Sequence, residues 1–260
     1  SFIFKDMNQI KKLNFTILIF FSVILSGCVS QPTPELAPDQ TAVNITVTTS
    51  INEIVGKKIY ACQQEIPNLI VYPKLSQDMY LPEKPSEISI FFGNSNSLSN
   101  DHFPGINLYQ ISSVKPIVLV NSDNPIQSLT KQKTRDILSG SVQNWSAVEG
   151  AGRPAAIQVY TLMPGSDLRQ IFDSAYLIDS QITTTAVILP SAAAVADKVS
   201  QNPAGIGITL ERYVTSSSNN GRVFPEPGLF IPVLASASDS ADPEVIQLIN
   251  CLSNANVEHD

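Results

Sequence analysis

From Thr41 onward the apolar positions change period again and again. Val43-Asn44-Ile45-Thr46-Val47-Thr48 alternates with a period of two and predicts a strand. Thr48-Thr49-Ser50 follows as a hydroxyl-rich turn, and Ile51 to Ile66 carries apolar residues at a spacing that fits a helix. Further strand segments are predicted at Leu69–Tyr72, at Ile88–Phe92 running into the turn Gly93-Asn94-Ser95-Asn96-Ser97, and at Ile106–Ile111. Strands that alternate with helices argue for α/β layers around a largely parallel sheet.

The second half of the chain repeats the scheme. A strand at Pro116–Asn121 leads through Ser122-Asp123-Asn124-Pro125 to a helix over Leu129–Ser139, stopped by Gly140. A second strand, Ala156–Tyr160, is delivered to Pro164-Gly165-Ser166-Asp167-Leu168-Arg169, the start of another helix. Unpaired backbone N–H groups at such a start favour an anion. Ser191–Val199 reads as a helix with a serine cap, Gly205–Thr209 as a strand and Ser216–Gly221 as a loop. Leu229–Leu234 is the last predicted strand, and Asp242-Pro243-Glu244 opens a closing helix that runs to Leu252.

The leading segment follows a different pattern. Met7 precedes Lys11 and Lys12, an apolar run Phe15–Leu25 and then Leu25-Ser26-Gly27-Cys28. This is the layout of a secretory signal, with Met7 as the start, Ser1–Asp6 as upstream read-through and residues 1–27 removed. Leu-Ser-Gly-Cys resembles the bacterial lipobox, which implies lipidation of Cys28. An apolar run of 11 residues is short for a bilayer span. Val29–Gln40, with Pro32, Pro34 and Pro38, reads as an extended tether to a membrane surface.

Composition narrows the partners. Without Lys5, Asp6, Lys11 and Lys12 the chain keeps 13 basic and 22 acidic residues, a net charge of −9. Such a surface disfavours nucleic acid and anionic lipid as partners. It leaves room for an anionic small molecule, because a few N–H groups and one arginine make a local positive site. No Cys-x-x-Cys occurs, and the histidines are His102 and His259, so neither a metal nor a cofactor is expected.

Asn124-Pro125, Leu129-Thr130, Arg135-Asp136-Ile137-Leu138-Ser139-Gly140, Asn144-Trp145 and Ser166-x-x-Arg169 stand in one order. With Asn202-Pro203-Ala204-Gly205-Ile206-Gly207-Ile208 as a return strand, they resemble the phosphate-binding lipoproteins of Pst-type ABC transporters, within the type II periplasmic binding proteins. The resemblance covers about 115–212. It implies two α/β lobes with mostly parallel sheets, helices on their faces and a hinge between them. Residues 41–114 and 212–260 would form lobe 1 and 115–211 lobe 2, with Lys115–Asn121 and Gly205–Thr209 as the crossings.

The same resemblance singles out ligand residues. Phosphate binders carry a loop of the type Arg-x-x-x-Ser-Gly-Thr, often followed by arginine. Here Ser166 and Arg169 match the serine and the trailing arginine, while Leu162 stands at the ligand arginine and Asp167-Leu168 replace Gly-Thr. Lost charge-assisted hydrogen bonds cost roughly 1.5–3 kcal/mol each, and a carboxylate beside an oxyanion repels it. Each candidate also has a plain structural reading. Ser166 is an ordinary helix N-cap, Asp167 a first-turn acid or a selector for a ligand with a donor or a positive charge, and Arg169 a partner for Asp173. From lobe 1 the contributors would be Thr48, Thr49, Ser50, Ser95 and Asn96, at turns beyond strand carboxyl ends. Trp145, the single tryptophan, reads as packing.

With Cys28 lipidated, Cys62 and Cys251 remain for an exported protein. The two-lobe topology puts both on lobe 1, as a disulfide or as two buried thiols. Ser122-Asp123-Asn124, Ser128-x-x-Lys131 and Lys133-Thr134 look like pieces of the penicillin-binding motif set. They crowd together in the wrong order, so chance accounts for them better and no enzyme is expected. The reading is a monomeric, membrane-anchored extracytoplasmic lipoprotein. It captures phosphate or a related oxyanion and delivers it to an ABC permease. The alternative is a sensor or adhesion lipoprotein that kept the fold and lost or changed the site.

Overall fold

The computed structural model describes residues 40–76, 79–93, 103–151, 154–214, 221–225 and 228–254. The leader, Cys28, the tether up to residue 39, Ser95, Asn96 and most of the loop expected at 216–221 lie outside the described residues.

Two five-stranded sheets organise the described chain. The first has the order β2-β1-β3-β10-β4, where β1 is Thr41–Thr48, β2 Leu69–Ser76, β3 Glu87–Phe92, β4 Ile106–Val114 and β10 Ile231–Ser238. The second has the order β7-β6-β8-β5-β9, with β5 Pro116–Asn121, β6 Gln158–Leu162, β7 Val187–Leu189, β8 Gly205–Leu210 and β9 Gly221–Pro225. In each sheet the fourth strand runs against all the others: β10 is antiparallel to β3 and β4, and β5 to β8 and β9. The remaining neighbours are parallel. β5 is the strand by which the chain crosses into the second lobe and β10 the one by which it returns to the first, so the lobes repeat one plan. This is the two-lobe, mostly parallel α/β architecture.

The helices are α1 Thr49–Glu65, α2 Lys131–Leu138, α3 Asp167–Phe172, α4 Ala192–Gln201 and α5 Pro243–Asn254. Their apolar spacing explains where they lie. In α1 the buried residues are Ile51, Ile54, Val55, Ile59 and Cys62, a stripe at helical spacing against a sheet whose β1 turns in Val43, Ile45 and Val47. In α5 the stripe is Val245, Leu248, Ile249 and Leu252. Cys62 and Cys251 are joined by a disulfide with a Cα–Cα distance of 5.8 Å, which ties α1 to α5 on one face of the first sheet.

The second lobe holds its parts with buried polar groups as well. Trp145 is 1% exposed, and its Nε1 donates to the Ala204 carbonyl at 3.1 Å. Asn121 Nδ2 donates to the Val199 and Ser200 carbonyls at the end of α4. Thr130 caps α2 by accepting from the Lys133 N–H, and Gly140 ends the turn after α2 at a φ of +82°, where a Cβ would meet the Thr183 hydroxyl at 2.7 Å. These contacts, with Asn144 Oδ1 accepting from the Ser146 N–H at 2.9 Å, give structural roles to Asn144-Trp145 and to the run that ends at Gly140.

One boundary moves. Residue 211 was the expected end of lobe 2, yet Gly221–Pro225 pairs with β5 in the second sheet, from Asn121↔Gly221 to Ile117↔Pro225. Arg222 Nε also donates to the Asn124 carbonyl at 2.7 Å. The return to the first sheet therefore follows Pro225, and β8 is an inner strand of lobe 2 between β6 and β5. Where β4 gives way to β5 and β8 ends, Lys115 Nζ lies 2.7 Å from Glu211 Oε1, and the Glu211 N–H donates to the Lys115 carbonyl at 2.9 Å.

Candidate functional site

The carboxyl end of β1 and the carboxyl end of β6 each deliver the chain to a helix, and the two turns meet. Thr48 closes β1 and stands at the N-cap of α1 with extended backbone angles, φ −67° and ψ 145°. A threonine there ordinarily accepts a hydrogen bond from its own helix. Thr48 does not cap α1. It is 2% exposed, and its Oγ1 donates to Asp167 Oδ2 of the other lobe at 2.7 Å. Ser50, in the first turn of α1, donates its hydroxyl to Asp167 Oδ1. That oxygen also accepts from the Leu168 N–H at 2.7 Å.

Asp167 is thus a carboxylate between two lobes, with neutral donors on both oxygens. It sits at the start of α3, after a loop that Gly165 turns with a φ of +86°. Thr49 is exposed and donates to the Ser76 carbonyl at the end of β2, at 3.2 Å, on its own lobe.

Ser166 and Arg169 are committed elsewhere. The Ser166 Oγ accepts from the Arg169 N–H and donates to the Met163 carbonyl at 3.0 Å, which makes it the cap of α3 and a clasp on its loop. Arg169 is 6% exposed; its Nε donates to Asp173 Oδ1 at 2.7 Å and its Nη1 to the Leu162 carbonyl at 2.8 Å. The pairing with Asp173 matches the structural reading of this residue, with one difference: the guanidinium is buried rather than on a solvated face. The junction thus brings together Thr48, Ser50 and Asp167. Ser166 and Arg169 hold the loop beside it.

A second contact across the lobes involves residues that the sequence did not single out. Tyr213, in the one-turn helix Glu211–Tyr213 after β8, donates its hydroxyl to Glu53 Oε2 of α1 at 3.0 Å. Burial first, and the Glu53 carboxylate second, raise the tyrosine's pKa above its ordinary value. On the same helix, burial and then the Arg212 guanidinium hold Lys58 below its usual value. Nothing in the local pattern around Tyr213 marks it, because its partner lies 160 residues away.

Among the described residues no cluster of three or more His, Cys, Asp or Glu side chains could hold a metal ion. Among them, too, no helix is long and apolar enough to cross a membrane.

No family model and no curated protein matches the sequence. Solved structures match it in fold. A structure from Clostridium perfringens, described as a phosphate ABC transporter substrate-binding protein with bound phosphate, is 18% identical with a TM-score of 0.66. The match covers 82% of this chain and 93% of that one. An ABC-type phosphate transport receptor from Vibrio cholerae is 19% identical with a TM-score of 0.63, over 82% of this chain and 94% of that one. A sulfate-bound variant of the OxyR2 regulatory domain from Vibrio vulnificus matches at 12% identity and a TM-score of 0.57, over 85% and 99%. Transport receptors and regulatory domains share this architecture, and the chain has the two-lobe α/β fold of type II periplasmic binding proteins.

Proposed function

We propose that this protein is an extracytoplasmic solute-binding lipoprotein that closes its two lobes on a small ligand at the Thr48–Ser50–Asp167 junction and presents it to an ABC permease. The observation that carries the reading is the meeting of two strand–helix turns, one from each lobe, with the hydroxyls of Thr48 and Ser50 turned across the gap. Open α/β sheets bind ligands beyond the carboxyl ends of their strands, and both turns lie there. Hinge closure brings such turns together around a solute. Phosphate or a related oxyanion is the ligand class in keeping with the solved structures of similar fold, one of which holds phosphate.

The donors at the junction are neutral, and the Asp167 carboxylate stands among them. Two hydroxyls and a backbone N–H accommodate oxygen atoms of an anion without a formal positive charge. Leu162 at the end of β6 is 3% exposed and packs into the core, so it supplies no charge to the gap. Affinity for a dianion would then be modest.

A second reading is a sensor or adhesion lipoprotein on the same fold. The feature that favours it is Asp167, which already takes both hydroxyls.

A thermal-shift screen tests both. Phosphate, sulfate, molybdate, phosphonates and zwitterionic solutes are each added at millimolar concentration after the protein has been unfolded and refolded to strip bound ligand. A ligand at a thousandfold excess over Kd stabilises by about 4 kcal/mol, enough to move the midpoint by several degrees. The transport reading predicts a shift with an oxyanion that Thr48→Val and Ser50→Ala both abolish. If no solute moves the midpoint, the sensor or adhesion reading takes its place.

A further inference from the structure

We infer that Asp167 is the protein's own ligand: its carboxylate occupies the seat between the lobes, holds them closed without a solute, and decides which solutes enter. Three observations support this. First, a carboxylate offers two oxygens at the spacing of an oxyanion's, and here each takes a hydroxyl from the opposite lobe, Thr48 on Oδ2 and Ser50 on Oδ1.

Second, Thr48 has forgone the bond its position favours. It stands at the N-cap of a 17-residue helix, yet its hydroxyl serves Asp167 and leaves the helix uncapped by that side chain. With the residue 2% exposed in this arrangement, Asp167 and not water satisfies the hydroxyl.

Third, Asp167 is held in place from behind. Ser166 before it caps α3, Leu168 after it is 1% exposed in the core, and Arg169 ties the same turn to Leu162 and Asp173. A group so fixed on one lobe meets its donors on the other by hinge motion alone. Its effective concentration at the seat is set by the hinge, and a free solute must compete with it.

Specificity follows from this competition. A solute that brings only negative charge must displace the carboxylate and stay near it, so Asp167 weakens every oxyanion. Where the seat is empty only 1–10% of the time, apparent affinity falls by about 10- to 100-fold. The consequence for affinity rests on the reading of this junction as the ligand seat, whereas the closed state without solute does not.

The test is small-angle X-ray scattering on the purified full-length protein, stripped of solute, for the wild type, Asp167→Ala and Asp167→Asn, with calorimetric titration of inorganic phosphate into each. The expected result is a compact wild type that phosphate leaves unchanged in size, and an Asp167→Ala protein with a larger radius of gyration. Asp167→Asn, which keeps the shape and one acceptor, falls between them and guards against a folding defect in the alanine variant. Phosphate is expected to bind Asp167→Ala at least 10-fold more tightly than the wild type and to make it compact. An unchanged radius of gyration in both variants overturns the inference, as does measurable phosphate binding of equal affinity in the wild type and Asp167→Ala. If the variants open and phosphate binds none of the proteins, the internal clamp stands and the oxyanion reading falls.

Discussion

The two turns that meet between the lobes have the same construction and opposite fates. Each follows the carboxyl end of a strand, offers a hydroxyl residue at a helix N-cap and places buried aliphatic residues just beyond. In the turn after β6 the cap works locally: Ser166 accepts from the Arg169 N–H. In the turn after β1 it works at a distance, since Thr48 leaves its own helix and reaches Asp167 119 residues away. The difference lies in what anchors each helix. α3 has six residues and depends on its cap and on Arg169, whereas α1 has 17, a full apolar stripe and the disulfide to α5. A helix held along its length can release its first hydroxyls for another use. A short one keeps its cap.

The contrast can be broken most strongly at the disulfide. Cys62 and Cys251 are separated by 189 residues, and a loop of that size contributes about 5 kcal/mol through the unfolded state. Reduction, or replacement of both cysteines by alanine, is expected to lower stability in urea by that amount. Mass spectrometry of protein purified without reductant should find both cysteines oxidised; two free thiols there would remove the anchor from the account.

Arg169→Met comes next. It removes the buried guanidinium that joins α3 to Leu162 and Asp173, and a loss of roughly 2–3 kcal/mol is expected in chemical unfolding. Asp173 is partly exposed, with a side chain 40% accessible, so the abandoned carboxylate reaches water and the loss stays below that of a fully buried pair. Ser166→Ala should cost about 1 kcal/mol of stability as a lost cap. It should leave solute binding unchanged, and a solute shift that vanishes in this variant would restore Ser166 to the ligand set.

The general plan of the fold was legible because apolar periodicity and buried faces go together. β5 and β8 are buried throughout, β1 turns Val43, Ile45 and Val47 inward, and each of the two longest helices buries one stripe at helical spacing. The strands that escaped, β7 and β9, are edges of the second sheet. Val187 and Ile188 are largely exposed, and β9 alternates half-buried with exposed residues before Pro225, so neither forms the run that marks an inner strand. That is also why the lobe boundary fell short at 211. The junction between the lobes was half legible. Thr48 and Ser50 were recognised as hydroxyls beyond a strand end, and Asp167 as an acid in a loop where the resemblance has glycine. A cap and a ligand contact use the same residue types in the same place, however, and only the partner across the gap separates them. Tyr213 and Glu53 left no local trace.

The smallest effect belongs to that second contact. Tyr213→Phe is expected to lower stability at neutral pH by about 0.5–1 kcal/mol, the net worth of one hydrogen bond. The sign with pH follows from the raised pKa of the tyrosine. The folded state favours the neutral hydroxyl, so the contribution is complete below the ordinary value near 10 and is lost as pH rises through the folded value. Between pH 10 and higher values the wild type should lose stability faster than the phenylalanine variant in parallel urea titrations.

The division of labour is that Thr48 and Ser50 bind across the gap while Ser166 serves its own helix. A double-mutant cycle on unfolding free energy tests it most directly, with Ser50→Ala, Asp167→Asn and Ser166→Ala made singly and in pairs. The expected result is a coupling of about 1 kcal/mol or more between Ser50 and Asp167, and additivity within about 0.5 kcal/mol between Ser50 and Ser166. Additivity of Ser50 and Asp167 would contradict the account, because two residues that do not feel each other's loss cannot hold the lobes together.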